Sequence, residues 1–162
     1  YGWLTNRGIK KPTFHALRLL HQYATNRDYF VGINDFLDQN TTSLELFATI
    51  DSSKKNLSMF IMNWAMSGKV EDQTVEIEIK GNNLGSVKNG TLYRIDDDNC
   101  NPQSIWQQQG EPFYPTKKQM DQMINASDTY PMNLNVESRD QEAVKFKLDV
   151  PKYAMAMLVI QC

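Results

Sequence analysis

At 162 residues the chain is long enough for one domain with a full hydrophobic core, and its 41% hydrophobic and 22% charged residues are typical of a folded globular protein. A formal net charge of −2 gives no electrostatic reason to bind nucleic acid. No apolar run approaches the roughly 18 residues of a membrane-spanning helix. Composition therefore predicts neither a nucleic-acid partner nor a membrane span.

The first predicted element is a helix over residues 12–24, the strongest helical pattern in the chain. Pro12 stands in its first turn, and the apolar residues Phe14, Leu17, Leu20 and Tyr23 recur at spacings of three. A helix of about 13 residues is marginal in isolation, so it must pack against the rest of the chain. We expect it to do so through Phe14, Leu17 and Leu20.

Beyond residue 42 the hydrophobic period changes from 3.6 to 2, the period of β-strands. The strands are linked mostly by turns rather than by crossover helices, which favours an antiparallel β-sandwich over βαβ units. Met59, Met62 and Met66 are interpreted as core filler, because thioethers adapt to irregular gaps. The predicted strands cover residues 42–50, 57–65, 73–80, 87–95, 132–136, 143–150 and 153–160.

Glu76 and Glu78 stand two residues apart on the predicted strand 73–80, and paired carboxylates are what a glycosidase requires. Catalytic pairs, however, hold the substrate between groups from different elements. Alternating charge on one strand is the ordinary pattern of a face exposed to water. We therefore assign no catalytic residue to this chain.

The connection after strand 87–95 is the part of the sequence richest in turn-forming and helix-capping residues. Three aspartates end the strand, and they resemble a calcium loop only in part, because the glycine and glutamate of that loop are missing. We expect Arg94 to pair with one of the aspartates, and the aspartates to cap the turn. Two short helices follow within about residues 102–127. The second begins with Thr116 and Gln119 as a capping box, and we expect its residues Met120, Met123 and Ile124 to face inward.

Trp106 lies in the first of these short helices and has two interpretations. It is either a plug mostly buried against the sandwich, with its indole N–H bonded to a backbone carbonyl or a side chain, or an exposed platform on which a sugar stacks. The plug is favoured, because so short a helix needs tertiary contacts to form.

The chain has two cysteines and two histidines. Cys100 and Cys162 can form one disulfide bond or remain free thiols, and the sequence leaves both alternatives open. His15 and His21 lie on the flanks of the first helix, where a solvated or hydrogen-bonded side chain is the simplest interpretation. Because the spacing of a zinc site is missing, we predict no metal and no cofactor.

Four Asn-x-Ser/Thr sequons are candidate N-glycosylation sites. They favour a secreted or lumenal glycoprotein, against the alternative of unused sequons in an asparagine-rich chain. The acceptor residues are Asn40, Asn56, Asn89 and Asn125.

Two segments together resemble glycoside hydrolase family 39, the family of β-xylosidases and α-L-iduronidase. Residues 8–20 (GIKKPTFHALRLL) are similar to the end of that family's (β/α)8 barrel. Residues 93–127 are similar to its C-terminal region, in which Asn99 stands where members often have histidine. The residues that carry this second resemblance are Arg94, Asp96, Asn101, Trp106, Gly110, Pro112 and Pro115.

The resemblance implies that residues 1–28 are the last barrel helix and residues 29–162 a β-sandwich domain. The family's two catalytic glutamates would then precede Tyr1, in a barrel of the same protein. The implied function is a non-catalytic portion of a retaining glycosidase, β-xylosidase-like first and α-L-iduronidase-like second. Two other classes remain open: a carbohydrate-binding module, and an assembly module without hydrolase activity.

Overall fold

The computed structural model describes residues 2–24, 29–30, 43–51, 56–66, 68–81, 87, 89–140 and 142–161. Asn40 and Cys162 lie outside these ranges. The predicted domain boundary, between residues 28 and 29, lies at the edge of one of them. Within them three helices and nine strands are defined: α1 Pro12–Ala24, β1 Tyr29–Phe30, β2 Leu44–Asp51, β3 Asn56–Asn63, β4 Gln73–Lys80, β5 Asn89–Ile95, α2 Pro102–Gln108, α3 Lys117–Ser127, β6 Met132–Asn135, β7 Ser138–Arg139, β8 Ala143–Val150 and β9 Ala154–Gln161.

The strands form two antiparallel sheets. The larger has the order β1-β2-β3-β9-β5-β6, and the smaller has the order β4-β8-β7. The last strand, β9, lies in the middle of the large sheet between β3 and β5. This arrangement confirms the predicted mainly β sandwich with one N-terminal helix and two short inserted helices.

The main core lies between the two sheets. On β8 the alternating residues Val144, Phe146, Leu148 and Val150 are buried, while Lys145 and Lys147 between them are exposed. Each fully buried apolar side chain contributes about 1.5–3 kcal/mol relative to leaving it in water. Opposite them, the large sheet presents Leu57, Met59, Ile61, Ala156, Leu158 and Ile160.

The other face of the large sheet is covered by α1. Leu19 and Ala24 of the helix pack with Phe60 of β3 and Met157 of β9, and Phe60 stacks on Phe47 with ring centroids 4.6 Å apart. Strands β3 and β9 are therefore covered on both faces. This double burial explains why their sequences are nearly continuous apolar runs rather than alternating ones.

The buried face of α1 differs from the predicted one. His15 and Leu19 are buried and Phe14 and Leu20 half-buried, but Leu17 is 45% exposed, so its predicted docking role is wrong. Steps of three turn the helix by about 300°, so the series 14, 17, 20 and 23 spreads over about 180°. The step of four from His15 to Leu19 follows the contact face more closely.

Two other predicted core residues are also exposed. Met66 is 91% exposed, because β3 ends at Asn63 and the chain leaves the sheet before it. Ile124 of α3 is 43% exposed, while Met123 on the same helix is buried. The predictions for Met59 and Met123 are confirmed.

Candidate functional site

A short hairpin, residues 3–11, precedes α1 and is called the N-terminal hairpin below. Its arms are joined by a bridge between Leu4 and Lys10 and by the bond from Lys11 N to Trp3 O at 2.9 Å. Gly8 closes the turn at φ +77°, a conformation in which a Cβ would be strained. The segment that holds α2 and α3, residues 102–127, is called the helical insertion below. The turn of the hairpin lies beside it, since Arg7 contacts Phe113.

The loop after β5 is organised by one carboxylate, Asp96. Its Oδ2 lies 2.8 Å from Arg94 Nε, and its Oδ1 accepts bonds from the backbone N–H groups of Asp98 and Asn99. The side chain of Asn99 donates to the same oxygen at 2.8 Å, and the Asp96 side chain is only 2% exposed. The predicted ion pair and turn cap are confirmed, and Asn99 here serves the turn.

The remaining motif residues shape the two inserted helices. Asn101 caps α2 by accepting from the N–H groups of Gln103 and Ser104. Gly110 ends the turn after α2 at φ +78°, which favours glycine. Thr116 and Gln119 form the predicted capping box of α3.

The burial of Trp106 lies between that expected for a plug and that expected for an exposed platform. Its Nε1–H donates to Pro112 O at 3.3 Å, so of the two predicted kinds of acceptor the structure has a backbone carbonyl. The side chain is half-buried rather than mostly buried, because one side of it lines an open groove. The prediction that Trp106 is mostly buried against the sandwich was therefore too strong.

This groove, about 770 Å³ in volume, lies between the N-terminal hairpin and the helical insertion. Ile9 and Met123 line it and are themselves buried. Arg7 joins the two walls, since its Nη2 donates to Phe113 O at 2.9 Å. Phe113 is 81% exposed and meets Tyr114 edge-on at 4.8 Å. The groove is thus open, with an aromatic rim.

Polar side chains converge on the same groove. Among the residues that the structure describes, the side chains of Asn6, Lys11 and Gln103 line it without any hydrogen bond or ion pair. Its lining contains the cations Arg7 and Lys11 and no aspartate or glutamate. The groove therefore offers free hydrogen-bonding groups and a positive local charge on a chain whose net charge is −2.

Sequence reasoning missed this groove. Arg7 stood out in no motif, and Lys11 and Phe113 lie in the segments 8–20 and 93–127 without being singled out for binding. The two walls are about a hundred positions apart in the chain. Trp106 was the one lining residue singled out for a sugar.

On its other side the N-terminal hairpin is tied to the end of α3. Lys10 Nζ lies 2.9 Å from Asp128 Oδ1, and the Arg18 guanidinium donates to the Thr129 hydroxyl. His15 lies beneath this ion pair with no exposed surface, its Nε2 3.7 Å from Asp128 Oδ1. Lys10, Arg18, His15 and Asp128 are called the polar junction below.

His15 is not the solvated or hydrogen-bonded residue that we predicted. Neither ring nitrogen has a hydrogen-bond partner in the described structure. Burial, together with the charges of Arg18 and Lys10, lowers the pKa of His15 below its ordinary 6.5, against the opposing effect of Asp128. The imidazole is therefore held neutral.

Cys100 is a free thiol, buried beside the polar junction. Its Sγ donates to Ser127 O at 3.1 Å, and burial raises its pKa to about 11. A thiol so far from ionisation is a poor nucleophile. The other half of the predicted bridge, Cys162, lies outside the described residues.

Glu76 and Glu78 lie on the exposed face of β4, opposite Lys147 and Lys145 of β8. Hydrogen bonds from Lys80 and Lys145 lower the pKa of Glu78, which is the reverse of what a general acid needs. Within the described ranges, no three His, Cys, Asp or Glu side chains are grouped as a metal site. No described helix has the length and apolar character to span a membrane.

The described sequons occupy different surroundings. Asn56 is half-buried at the start of β3, which is paired on both sides. Asn89 begins β5 and is exposed, and its side chain donates to Asn133. Asn125 is exposed on α3.

Fold and site together define a β-sandwich module with a covering helix and a helical insertion. The sequence model described as "Glycosyl hydrolases family 39" matches residues 1–137. The chain therefore belongs to glycoside hydrolase family 39, and the predicted family is confirmed.

Known relatives agree with this assignment. A β-xylosidase of Caldicellulosiruptor saccharolyticus is 22% identical over 99% of this chain. The crystal structure of a family 39 enzyme from Xanthomonas axonopodis pv. citri superposes with a TM-score of 0.75 at 14% identity, over 99% of this chain. A family 39 β-xylosidase of Caulobacter crescentus gives a TM-score of 0.67 at 14% identity, over the whole chain. At these identities, the structural likeness shows the fold.

The shares of the relatives that are covered are small. The chain spans 31% of the Caldicellulosiruptor protein, 32% of the Xanthomonas chain and 30% of the Caulobacter chain. It therefore corresponds to about a third of each relative's length.

Proposed function

We propose that this chain is the non-catalytic β-sandwich portion of a β-xylosidase-like family 39 glycoside hydrolase, and that it supports a catalytic (β/α)8 barrel of the same protein. The observation that carries the proposal is coverage: 99% of this chain matches about a third of a β-xylosidase. The parent would hydrolyse β-xylosides with retention, with an α-L-iduronide as the second candidate substrate. On this proposal residues 1–28 complete the barrel, and residues 29–162 form the attached domain.

The surface of the N-terminal segment supports a covering partner. Trp3 is 62% exposed, Leu4 48% and Leu17 45%, all on the hairpin and helix that the proposal assigns to the barrel. Large apolar side chains exposed in this way mark interaction surfaces when they lie near one another, and burial of each would stabilise the contact. The opposite face of α1 is already occupied by the large sheet. A barrel would therefore contact the exposed face that carries Leu17.

The charges of the sandwich support a non-catalytic role. The carboxylates on β4 alternate with apolar residues and lie opposite lysines of β8, and Glu78 forms ordinary surface ion pairs with Lys80 and Lys145. Glycoside hydrolysis needs one carboxyl with a raised pKa. The pKa of Glu78 is instead lowered.

The experiment compares two proteins on an aryl β-xyloside and an aryl α-L-iduronide. One is the 162-residue chain, and the other is the product of its reading frame extended upstream of Tyr1. We expect no turnover by the chain and turnover by the longer protein. Turnover by the chain that is lost in Glu76→Gln or in Glu78→Gln would refute the non-catalytic role. Inactivity of a longer protein that has lost the barrel glutamates would favour an assembly module.

The proposal includes that the protein is a secreted or lumenal glycoprotein. It is supported by the exposure of Asn89 and Asn125, where a glycan could be attached. Expression through a secretory pathway, followed by glycopeptide mass spectrometry, tests it. We expect glycan on Asn89 or Asn125 and none on half-buried Asn56. Unmodified asparagines at all three positions would support the alternative of unused sequons.

A further inference from the structure

We propose that the groove between the N-terminal hairpin and the helical insertion binds an acidic saccharide, with the carboxylate of a uronic acid placed at Arg7 and Lys11. The proposal does not depend on a catalytic domain, because every residue it uses belongs to the described chain. It starts from the size of the groove, about 770 Å³, which is within the usual range for small-molecule sites of about 300–1,000 Å³.

The rim favours a sugar ring. Phe113 is 81% exposed at the edge of the groove, and the ring of Trp106 forms part of its wall. Aromatic side chains that present a flat apolar face beside polar groups suit ligands that are apolar on one face and polar at the edge. The indole N–H of Trp106 is already bonded to Pro112, so its ring is fixed in orientation.

The polar lining favours hydroxyl groups. Asn6 and Gln103 each carry an amide that both donates and accepts, and Thr13 adds a hydroxyl. In the described structure none of these three side chains is bonded to another protein group. A saccharide hydroxyl also donates and accepts, so it can satisfy such groups in either direction.

The charges select an acidic saccharide over a neutral one. Arg7 uses one N–H group for the Phe113 carbonyl, and the remaining guanidinium donors are free for a carboxylate. Lys11 has no anionic partner in the described structure, whereas its neighbour Lys10 is paired with Asp128. Because the lining holds two cations and no carboxylate, a neutral sugar would leave both charges unused.

The test is calorimetric titration of the 162-residue chain at low salt. The ligands are a xylo-oligosaccharide that carries one uronic acid, its neutral counterpart of equal length, and a hyaluronan oligosaccharide. We expect the acidic xylo-oligosaccharide to bind at least about tenfold more tightly than the neutral one, with the preference falling at high salt. Comparison with the hyaluronan oligosaccharide shows which of the two acidic saccharides binds more tightly. Tighter binding of either one than of the neutral ligand supports the site.

Matched variants locate the site. Lys11→Gln should weaken acidic binding about tenfold and neutral binding much less, so that the preference for the acidic ligand is lost, whereas Lys152→Gln, in the exposed turn before β9, should keep that preference. Phe113→Ala should weaken both ligands several-fold, whereas Tyr153→Ala, which removes a remote exposed ring, should not. An unchanged melting temperature of Phe113→Ala shows that the fold is kept.

Three results would overturn the proposal. The first is equal affinity for the acidic and neutral ligands, or no binding of either. The second is competition by inorganic sulfate as strong as that by the saccharide, which would reduce the groove to a general anion site. The third is equal behaviour of Lys11→Gln and Lys152→Gln.

Discussion

The sandwich core and the polar junction are two solutions to holding one element against another. The core buries alternating apolar side chains from two sheets and contains residues such as Val144 and Phe146 with no exposed surface. The junction joins elements more than a hundred residues apart through the Lys10–Asp128 pair and buries His15 without a hydrogen bond. Each buried apolar side chain adds to the free energy of unfolding. In the junction, the desolvation cost of the polar and charged groups offsets part of what their contacts contribute. We therefore expect the core to dominate stability.

The largest effect is expected in the core. Phe146→Ala should lower the free energy of unfolding by about 3–5 kcal/mol, because it removes a fully buried ring and leaves a cavity. Denaturant unfolding measures the change. The control is Tyr153→Ala, which removes a ring that is 66% exposed. Similar losses for the two variants would break the distinction between core and surface.

Helix α1 offers a matched leucine pair that sharpens the comparison. Leu19→Ala should cost about 2–5 kcal/mol, since Leu19 packs against Phe60 and Met157 under the large sheet. Leu17→Ala should stay within about 0.5 kcal/mol in the isolated chain, because Leu17 is 45% exposed. Thermal or denaturant unfolding of both variants decides which face is docked. A large loss for Leu17→Ala would restore the docking face predicted from the sequence.

A smaller effect is expected in the loop after β5. Asp96→Ala removes the acceptor for the N–H groups of Asp98 and Asn99 and the partner of Arg94, so it should cost about 1.5–3 kcal/mol. Asp98→Ala is the control, because the exposed Asp98 side chain takes no part in these contacts. If the two substitutions cost the same, the carboxylate of Asp96 does not organise the loop.

The smallest effect is a pH dependence that arises at the polar junction. The pKa of His15 is lowered on folding, so the unfolded chain binds the proton more readily than the folded one. The contribution of neutral His15 is therefore complete above pH 6.5 and is lost as the pH falls through 6.5 towards the lowered value. Arg18 and Lys10 favour this loss, and Asp128 opposes it.

Unfolding measured between pH 8 and pH 5 tests this dependence, with His15→Leu as the comparison. The variant should lose the part of the slope that begins near pH 6.5. An identical slope in the two proteins would assign the dependence to other groups.

The sequence predicted the regular parts of the fold because their signals are local. Strands β4 and β8 and helix α1 begin and end where the patterns placed them, and the capping box at Thr116 needed only a three-residue spacing. Leu17 and Met66 were misplaced because a period does not say where a helix face points or where a strand leaves its sheet. Sequence periodicity thus predicts helices and strands, but not which helix face packs against the sheet or where a strand ends.

The groove and the polar junction could not be predicted, because they depend on tertiary contacts. Lys10 reaches Asp128, and Arg7 reaches Phe113, across more than a hundred residues. Nothing in the composition of the hairpin distinguishes Lys10, which is paired, from Lys11, which lines the groove. The family resemblance supplied the fold and the expected parent enzyme, but it carried no information on this surface.

The most direct test of the proposed supporting role is the unfolding free energy of Leu17→Asp in two contexts. In the 162-residue chain the change should stay within about 0.5 kcal/mol, since the side chain is exposed on the face of α1 away from the sheet. In the protein extended upstream of Tyr1, the same substitution should cost about 2 kcal/mol or more, because a charge would be buried against the barrel. A small change in both contexts would contradict the proposal that this chain packs on a catalytic domain.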